Sequence, residues 1–298
     1  MNLHRAARHL ATALMLLPLL MLGGCRSEPI LQTPVAAPLP PRVALVLGGG
    51  AARGFAHVGV IKMLESQGIV PDLIVGTSAG SVVGALYASG LNGFQLQEMT
   101  FDLDRKAFAD WHWFGRGLLK GQALQDYVNK AVGGVRIEQL KKPFACVAAK
   151  LRTGEPVLFT TGDVGLAVRA SSAIPGIFEP PVIDGEEYVD GGTVSPVPVR
   201  FAQALGAQVV IAVNVSASID EEGDDSTLKS VLKTFNIMGH ALSAAELPLA
   251  DVVITPDVRD VGSADFDSKQ RSILQGERAA LAAVPAIKAA IAAKTVAR

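Results

Sequence analysis

Three features of this 298-residue chain predict an α/β fold with a mostly parallel central sheet and helices on both faces. Two short apolar runs without alternation, Val43–Leu47 and Asp72–Val75, each end at glycine and lead into a helical pattern. Strands covered on both faces read this way. A third run of the same kind returns at Val209–Val213, and the 30 glycines with few aromatics suit helices packed closely on a sheet.

The N-terminus is read apart from the fold. Arg5 and Arg8 precede an apolar run from Leu10 to Leu22, closed by Gly23-Gly24-Cys25. A basic start, a short apolar stretch and small residues describe a secretory signal over residues 1–24. An uncleaved anchor is the alternative, although the run is short of the roughly 20 residues a spanning helix needs. "LGGC" at 22–25 resembles the lipobox of bacterial lipoproteins, which implies that Cys25 is lipidated and heads the mature chain. Arg26 follows it, where aspartate often marks inner-membrane retention. The expected location is therefore the cell envelope, lipid-anchored and facing the periplasm, with the outer membrane favoured. Proline-rich residues 26–41, "RSEPILQTPVAAPLPP", complete a tether over 25–41, and the folded domain is expected at 42–298. Cys146 is the only other cysteine, so lipidation of Cys25 leaves no intramolecular disulfide; Cys146 sits in an apolar run as a buried thiol.

Within the domain, the strand Val43–Leu47 leads into a helix over Gly54–Gln67. Asp72–Val75 leads into a second helix over Ser78–Ala88. Asn92–Lys106 and Gly121–Val132 read as helices around an aromatic loop. Phe144–Ala149 and Val157–Thr160 form strands about a turn at Thr153-Gly154. Asp163–Ser172 is a short helix and Glu187–Val189 a short strand. After Val209–Val213, the polar and acidic Ser216–Thr227 reads as a solvated loop. Leu228–Leu247 is helical, Val252–Ile254 a strand, and Glu277–Ala293 a closing alanine-rich helix with Pro285 as a point of kinking. No internal repeat is visible.

The chemistry centres on Gly76-Thr-Ser78-Ala-Gly80, a G-x-S-x-G pattern between an apolar strand and a helix. A sharp turn there holds serine in a strained conformation, and the residues two away must be small to let strand and helix approach. A helix N-terminus with Ser78 at the cap is the plainer reading. Gly48-Gly49-Gly50 follows the first strand. Read as a dinucleotide fingerprint, it places Arg53 where the third glycine belongs and lacks the later acidic residue. Read as an oxyanion hole, it supplies N–H donors for the charge that forms when serine attacks a carbonyl. The second reading accounts for both motifs.

A base is harder to find. His57 lies one turn into a helix and is expected to point away from the serine, His112 lies in an aromatic loop, and His240 is mid-helix. Asp190, in "EYVDGGTVSPVP", ends a strand before two glycines, and a shielded carboxylate can act as base. A D-G turn aspartate is its plainer reading. A Ser78–Asp190–His240 triad keeps the chain order of another hydrolase fold.

Taken together, "GGGAARG", "GTSAG", "ASSAIPGIFEPP" (Ala170–Pro181) and "DGG" resemble the patatin-like phospholipases, in the right order over roughly residues 42–215. That resemblance implies a three-layer patatin-like fold and a Ser78–Asp190 dyad without histidine. It also implies an oxyanion hole at Gly48, Gly49 and Gly50, and hydrolysis of phospholipid or other lipid esters through an acyl-serine. Arg53 matches a basic position of the family's glycine box, either orienting the loop or meeting a phosphate. No cofactor is implied.

The remaining features exclude more than they assign. The 27 basic and 28 acidic residues balance, which argues against a broad nucleic-acid footprint, and no His/Cys/Asp cluster has metal-ligand spacing. "FADWHWFGRGLL" (Phe108–Leu119) holds Trp111 and Trp113, either as a satellite core or as a lipid-facing loop. A non-catalytic lipid-binding envelope protein is the alternative outside the enzyme class.

Overall fold

Strand β1 (Val43–Leu47) is buried along its whole length and pairs in parallel with β2 (Leu73–Thr77) on one side and β7 (Val209–Val213) on the other. The computed structural model describes residues 39–101, 119–216, 227–262 and 265–295. Hydrogen bonding links the eight strands in the order β5 (Val182–Ile183), β6 (Glu186–Asp190), β3 (Phe144–Lys150), β2, β1, β7 and β8 (Val252–Ile254), with β4 (Pro156–Phe159) also paired to β3. The run from β3 to β8 is parallel, while β4, β5 and β6 pair antiparallel.

Alternate residues of the central strands feed two cores. Leu45, Leu47, Ile74 and Ile211 face α1 (Phe55–Ser66), α2 (Ala79–Ala88) and α8 (Lys269–Lys294), while Val46 and Val210 face α6 (Val199–Ala204). This gives the three layers expected. Helices α1 and α8 cross backbone to backbone: a Cβ at Gly59 would strike the Ile273 carbonyl, and one at Gly276 the Ala56 carbonyl. Among the described residues the remaining α-helices are α3 (Gly93–Phe101), α4 (Gln122–Ala131), α5 (Val164–Ser171) and α7 (Thr227–Glu246).

Several boundaries differ from those read in the sequence. A short 3-10 turn at Ala51–Gly54 precedes α1, so the glycine loop tightens before the helix proper. Helix α8 starts two turns before Glu277 and runs on through Pro285. Strand β5 and helix α6, of two and six residues, are too short to show a period. The leader, Cys25 and tether residues through 38 lie outside the described residues, as do 102–118 with Trp111 and Trp113, and 217–226 of the acidic segment.

One pairing decides where the chemistry sits. Strand β2 runs along β3 as far as Thr77↔Val147, and β6 joins β3 in the opposite sense at Ala148↔Asp190. Strand β4 pairs Cys146–Ala149 and so fills the other edge of β3. Hence β2 and β6 share one edge and meet end to end, with Ser78 and Asp190 at the junction. Gly191 fits there because a Cβ would run into the Val147 carbonyl and come within 3.1 Å of Thr77 Cγ2.

Candidate active site

Ser78 turns the chain from β2 into α2 at φ 52° and ψ −124°, a strained corner for a side-chain-bearing residue. The two flanking glycines make the corner sterically possible. A Cβ at Gly80 would collide with the Leu47 carbonyl, and one at Gly76 would meet the Gly80 backbone. Ser78 is buried, and its N–H donates to Ser171 Oγ at 3.0 Å. Ser171 Oγ in turn donates to the Val147 carbonyl at 2.7 Å.

Asp190 is the last residue of β6 and only 1% exposed. Its N–H donates to the Ala173 carbonyl at 2.9 Å, and its Oδ1 accepts the Gly192 N–H at 2.7 Å. Burial pushes the carboxyl up to about 7, with the Ser78 hydroxyl and the Gly192 N–H pulling it back. Oδ2 has no well-formed hydrogen bond among the described residues; the Ser78 side chain is the neighbouring side chain that acts on the carboxyl. Cys146, one strand away, is fully buried, and desolvation raises its thiol well above the ordinary range.

The glycine loop lies directly against the serine, the Cβ position of Gly49 being 3.2 Å from Ser78 Cβ. Its N–H groups are not equivalent. Gly48 N–H donates to the Val213 carbonyl at 3.0 Å and Gly49 N–H to the Pro196 carbonyl at 2.9 Å. Those two bonds commit the donors expected of Gly48 and Gly49, because the loop is stitched to the ends of neighbouring segments. Among the described residues the N–H groups of Gly50 and Ala51 have no such carbonyl partner, and both residues line the cavity above Ser78. Ala51 also carries a positive φ of 51°. His57, fully buried, donates from Nε2 to the Gly48 carbonyl at 2.8 Å, and burial holds it neutral with a pKa of about 4. It therefore braces the loop. Arg53 is 2% exposed and donates from Nη1 to the Val261 carbonyl at 3.0 Å, a bond that fits loop orientation.

Two cavities meet at Ser78. One is lined by Gly50, Arg53, Asp190, Phe235, Asn236 and His240, and is roofed by α7. His240 is exposed at its rim and makes no hydrogen bond to Ser78 or Asp190 among the described residues. The other, of about 210 Å³, is almost wholly apolar and lined by Val82, Leu86, Leu96, Met99, Phe178 and Phe266 among others. Sequence reading missed this cavity, whose walls come from six separated segments, and missed the grip of Ser171 and Ala173. The "ASSAIPGIFEPP" block was the one available signal.

A patatin-like phospholipase family model matches residues 45–202, which spans all of these elements up to α6. An NTE family protein of Mycobacterium tuberculosis is 36% identical over 210 residues, covering 68% of this chain and 57% of its own length. Patatin-like phospholipase domain-containing protein 6 of Homo sapiens is 31% identical over 230 residues, covering 74% of this chain and 16% of its own length. The chain thus spans little more than half of the first relative and a small part of the second. VipD from Legionella pneumophila shares the fold, with a TM-score of 0.58 at 13% identity over 84% of this chain and 68% of VipD. On the family match and the shared fold, this chain belongs to the patatin-like phospholipase family.

Proposed function

We propose that the protein is a serine lipid acyl hydrolase in which Ser78 and Asp190 form a two-residue catalytic unit. The observation that carries this reading is the buried Asp190 carboxyl, raised to about 7 and acted on by the Ser78 hydroxyl, with no histidine bonded to either among the described residues. A carboxylate near neutrality is a competent base at physiological pH. Asp190 takes the hydroxyl proton as Ser78 Oγ attacks the ester carbonyl. The N–H groups of Gly50 and Ala51 stabilise the developing oxyanion, each donor being worth about 3 kcal/mol in such sites. Asp190 returns the proton to the leaving alcohol, and the acyl group stays on Ser78. Water, deprotonated by Asp190, then attacks the acyl carbonyl, and Asp190 passes that proton to Ser78 Oγ as the fatty acid leaves. The apolar cavity suits a single acyl chain, so a phospholipid, lysophospholipid or related lipid ester is the expected substrate class.

His240 shares the cavity that holds Asp190, which keeps a histidine-assisted esterase as the second reading. A non-catalytic lipid-binding role is the third. Ester hydrolysis by wild type, Ser78→Ala and His240→Ala separates them. Loss in Ser78→Ala alone supports the two-residue unit, loss in both supports the triad, and no activity in any supports lipid binding. Membrane attachment through lipidated Cys25, with the domain held in the envelope by the proline-rich tether, completes the proposal.

A further inference from the structure

The end of α5 and the residues that follow it touch both members of the catalytic unit. We propose that Ser171 is a positioning residue that fixes the Ser78 corner and sets its separation from Asp190. This rests on the hydrolase reading above.

The Ser78 N–H sits at a strained corner, where neither β2 nor α2 provides a backbone acceptor for it. Ser171 Oγ accepts it at 3.0 Å and donates its own hydrogen bond to the Val147 carbonyl at 2.7 Å. Both functions of the hydroxyl are used, so its rotation is fixed. Ser171 is 0% exposed and Ser78 7%, which leaves no room for bulk water to replace the bond. Two residues on, the Ala173 carbonyl accepts the Asp190 N–H at 2.9 Å. A three-residue segment therefore grips the backbone of Ser78 with a side chain and the backbone of Asp190 with a carbonyl. Val147, the second partner of Ser171, lies opposite Thr77 in β3, and Ala148 lies opposite Asp190. The hydroxyl closes the junction where β2 and β6 meet.

Removing that hydroxyl strands a buried donor on Ser78 and relaxes the corner. A shift of a fraction of an ångström at Oγ costs turnover, while the acyl cavity, whose lining does not include Ser171, keeps its walls. Ser171→Ala is expected to lower kcat on a soluble ester on the order of 10–100-fold with KM little changed. It also removes part of the influence of the Ser78 hydroxyl on Asp190, so the acidic limb of the pH–rate profile moves to higher pH. The other ionisable groups in the cavity that holds Asp190 are Arg53 on the glycine loop and His240 on α7, and neither is altered.

The experiment measures kcat, KM and the pH–rate profile for wild type, Ser171→Ala, Ser171→Thr and Ile287→Ala. Ser171→Thr keeps a hydroxyl on Cβ and should recover much of the rate. Ile287→Ala, in the core of α8, reports destabilisation alone and should leave the profile in place. If Ser171→Ala does not fold, the near-isosteric Ser171→Cys, a weaker acceptor, should show a smaller fall and the same shift. Unchanged kcat in Ser171→Ala, or a loss matched by Ile287→Ala without any shift of the limb, overturns the proposal. A wild type without esterase activity overturns the hydrolase reading and this proposal with it.

Discussion

Replacing Asp190 by asparagine should abolish turnover and stabilise the protein, and the size of the second effect follows from the site. Desolvation raises the Asp190 carboxyl from 3.8 to about 7 in the folded chain. Below pH 4 both folded and unfolded chains hold the proton, and there is no penalty. Between about 4 and 7 the unfolded chain releases it while the folded chain keeps it. Stability then falls as pH rises, by about 1.4 kcal/mol per unit, and levels off above 7. Near pH 8 the penalty approaches about 4 kcal/mol, an upper figure for a buried group. Asparagine keeps an oxygen for the Gly192 N–H, now bonded at 2.7 Å, so little is lost on that side. Asp190→Asn should thus be more stable than wild type by roughly 2–4 kcal/mol at pH 8 and about equal to it at pH 4. With the aspartate gone, the dependence left over includes that of His57. Its depressed pKa of about 4 makes stability fall as pH drops from about 6.5 toward 4. Equilibrium urea unfolding at pH 4, 6 and 8 measures all of this, alongside ester hydrolysis. A variant less stable than wild type at pH 8, or one that retains turnover, refutes the reasoning.

Five further outcomes are expected. Wild-type hydrolysis should rise with pH through about 7 as Asp190 ionises, and a flat rate between pH 5 and 9 would count against a carboxylate base. His240→Ala should keep activity on a soluble ester within a few-fold, roughly, because no bond joins it to the pair; a loss as deep as that of Ser78→Ala would favour the triad. In Gly50→Ala the added Cβ would sit 2.7 Å from the Val215 carbonyl, so the loop must shift; kcat should fall more than KM rises. Val82→Phe, filling the apolar cavity from α2, should spare short-chain esters and slow long-chain ones, and equal slowing of both would remove the acyl chain from that cavity. For the envelope location, mass spectrometry of the N-terminal peptide should find lipidated Cys25, and an intact Met1 would contradict it.

The sequence displayed the parts of the site that depend on neighbours along the chain. Ser78 was legible because strand, glycines and helix are contiguous, and Asp190 because two glycines follow a strand end. The unequal fate of the glycine donors was not, since the partners of Gly48 and Gly49 are carbonyls of Val213 and Pro196, nearly 150 residues or more away. The junction of β2 with β6 was hidden for the same reason: it exists only on the edge of β3. His57 read as pointing away from the serine, and its bond to the Gly48 carbonyl, which braces the loop beside Ser78, was not visible in the sequence. The central strands were readable as buried runs, whereas β5, α6 and the early start of α8 depend on packing that no local period reports.

The central claim is that Ser78 becomes the acyl carrier with Asp190 as its base. Labelling of purified protein by a fluorophosphonate, with the adduct mapped by mass spectrometry, tests it most directly. The account predicts one adduct on Ser78, retained in His240→Ala and strongly slowed in Asp190→Asn. An adduct on another residue, or Ser78 labelling that is undiminished in Asp190→Asn but lost in His240→Ala, would contradict it.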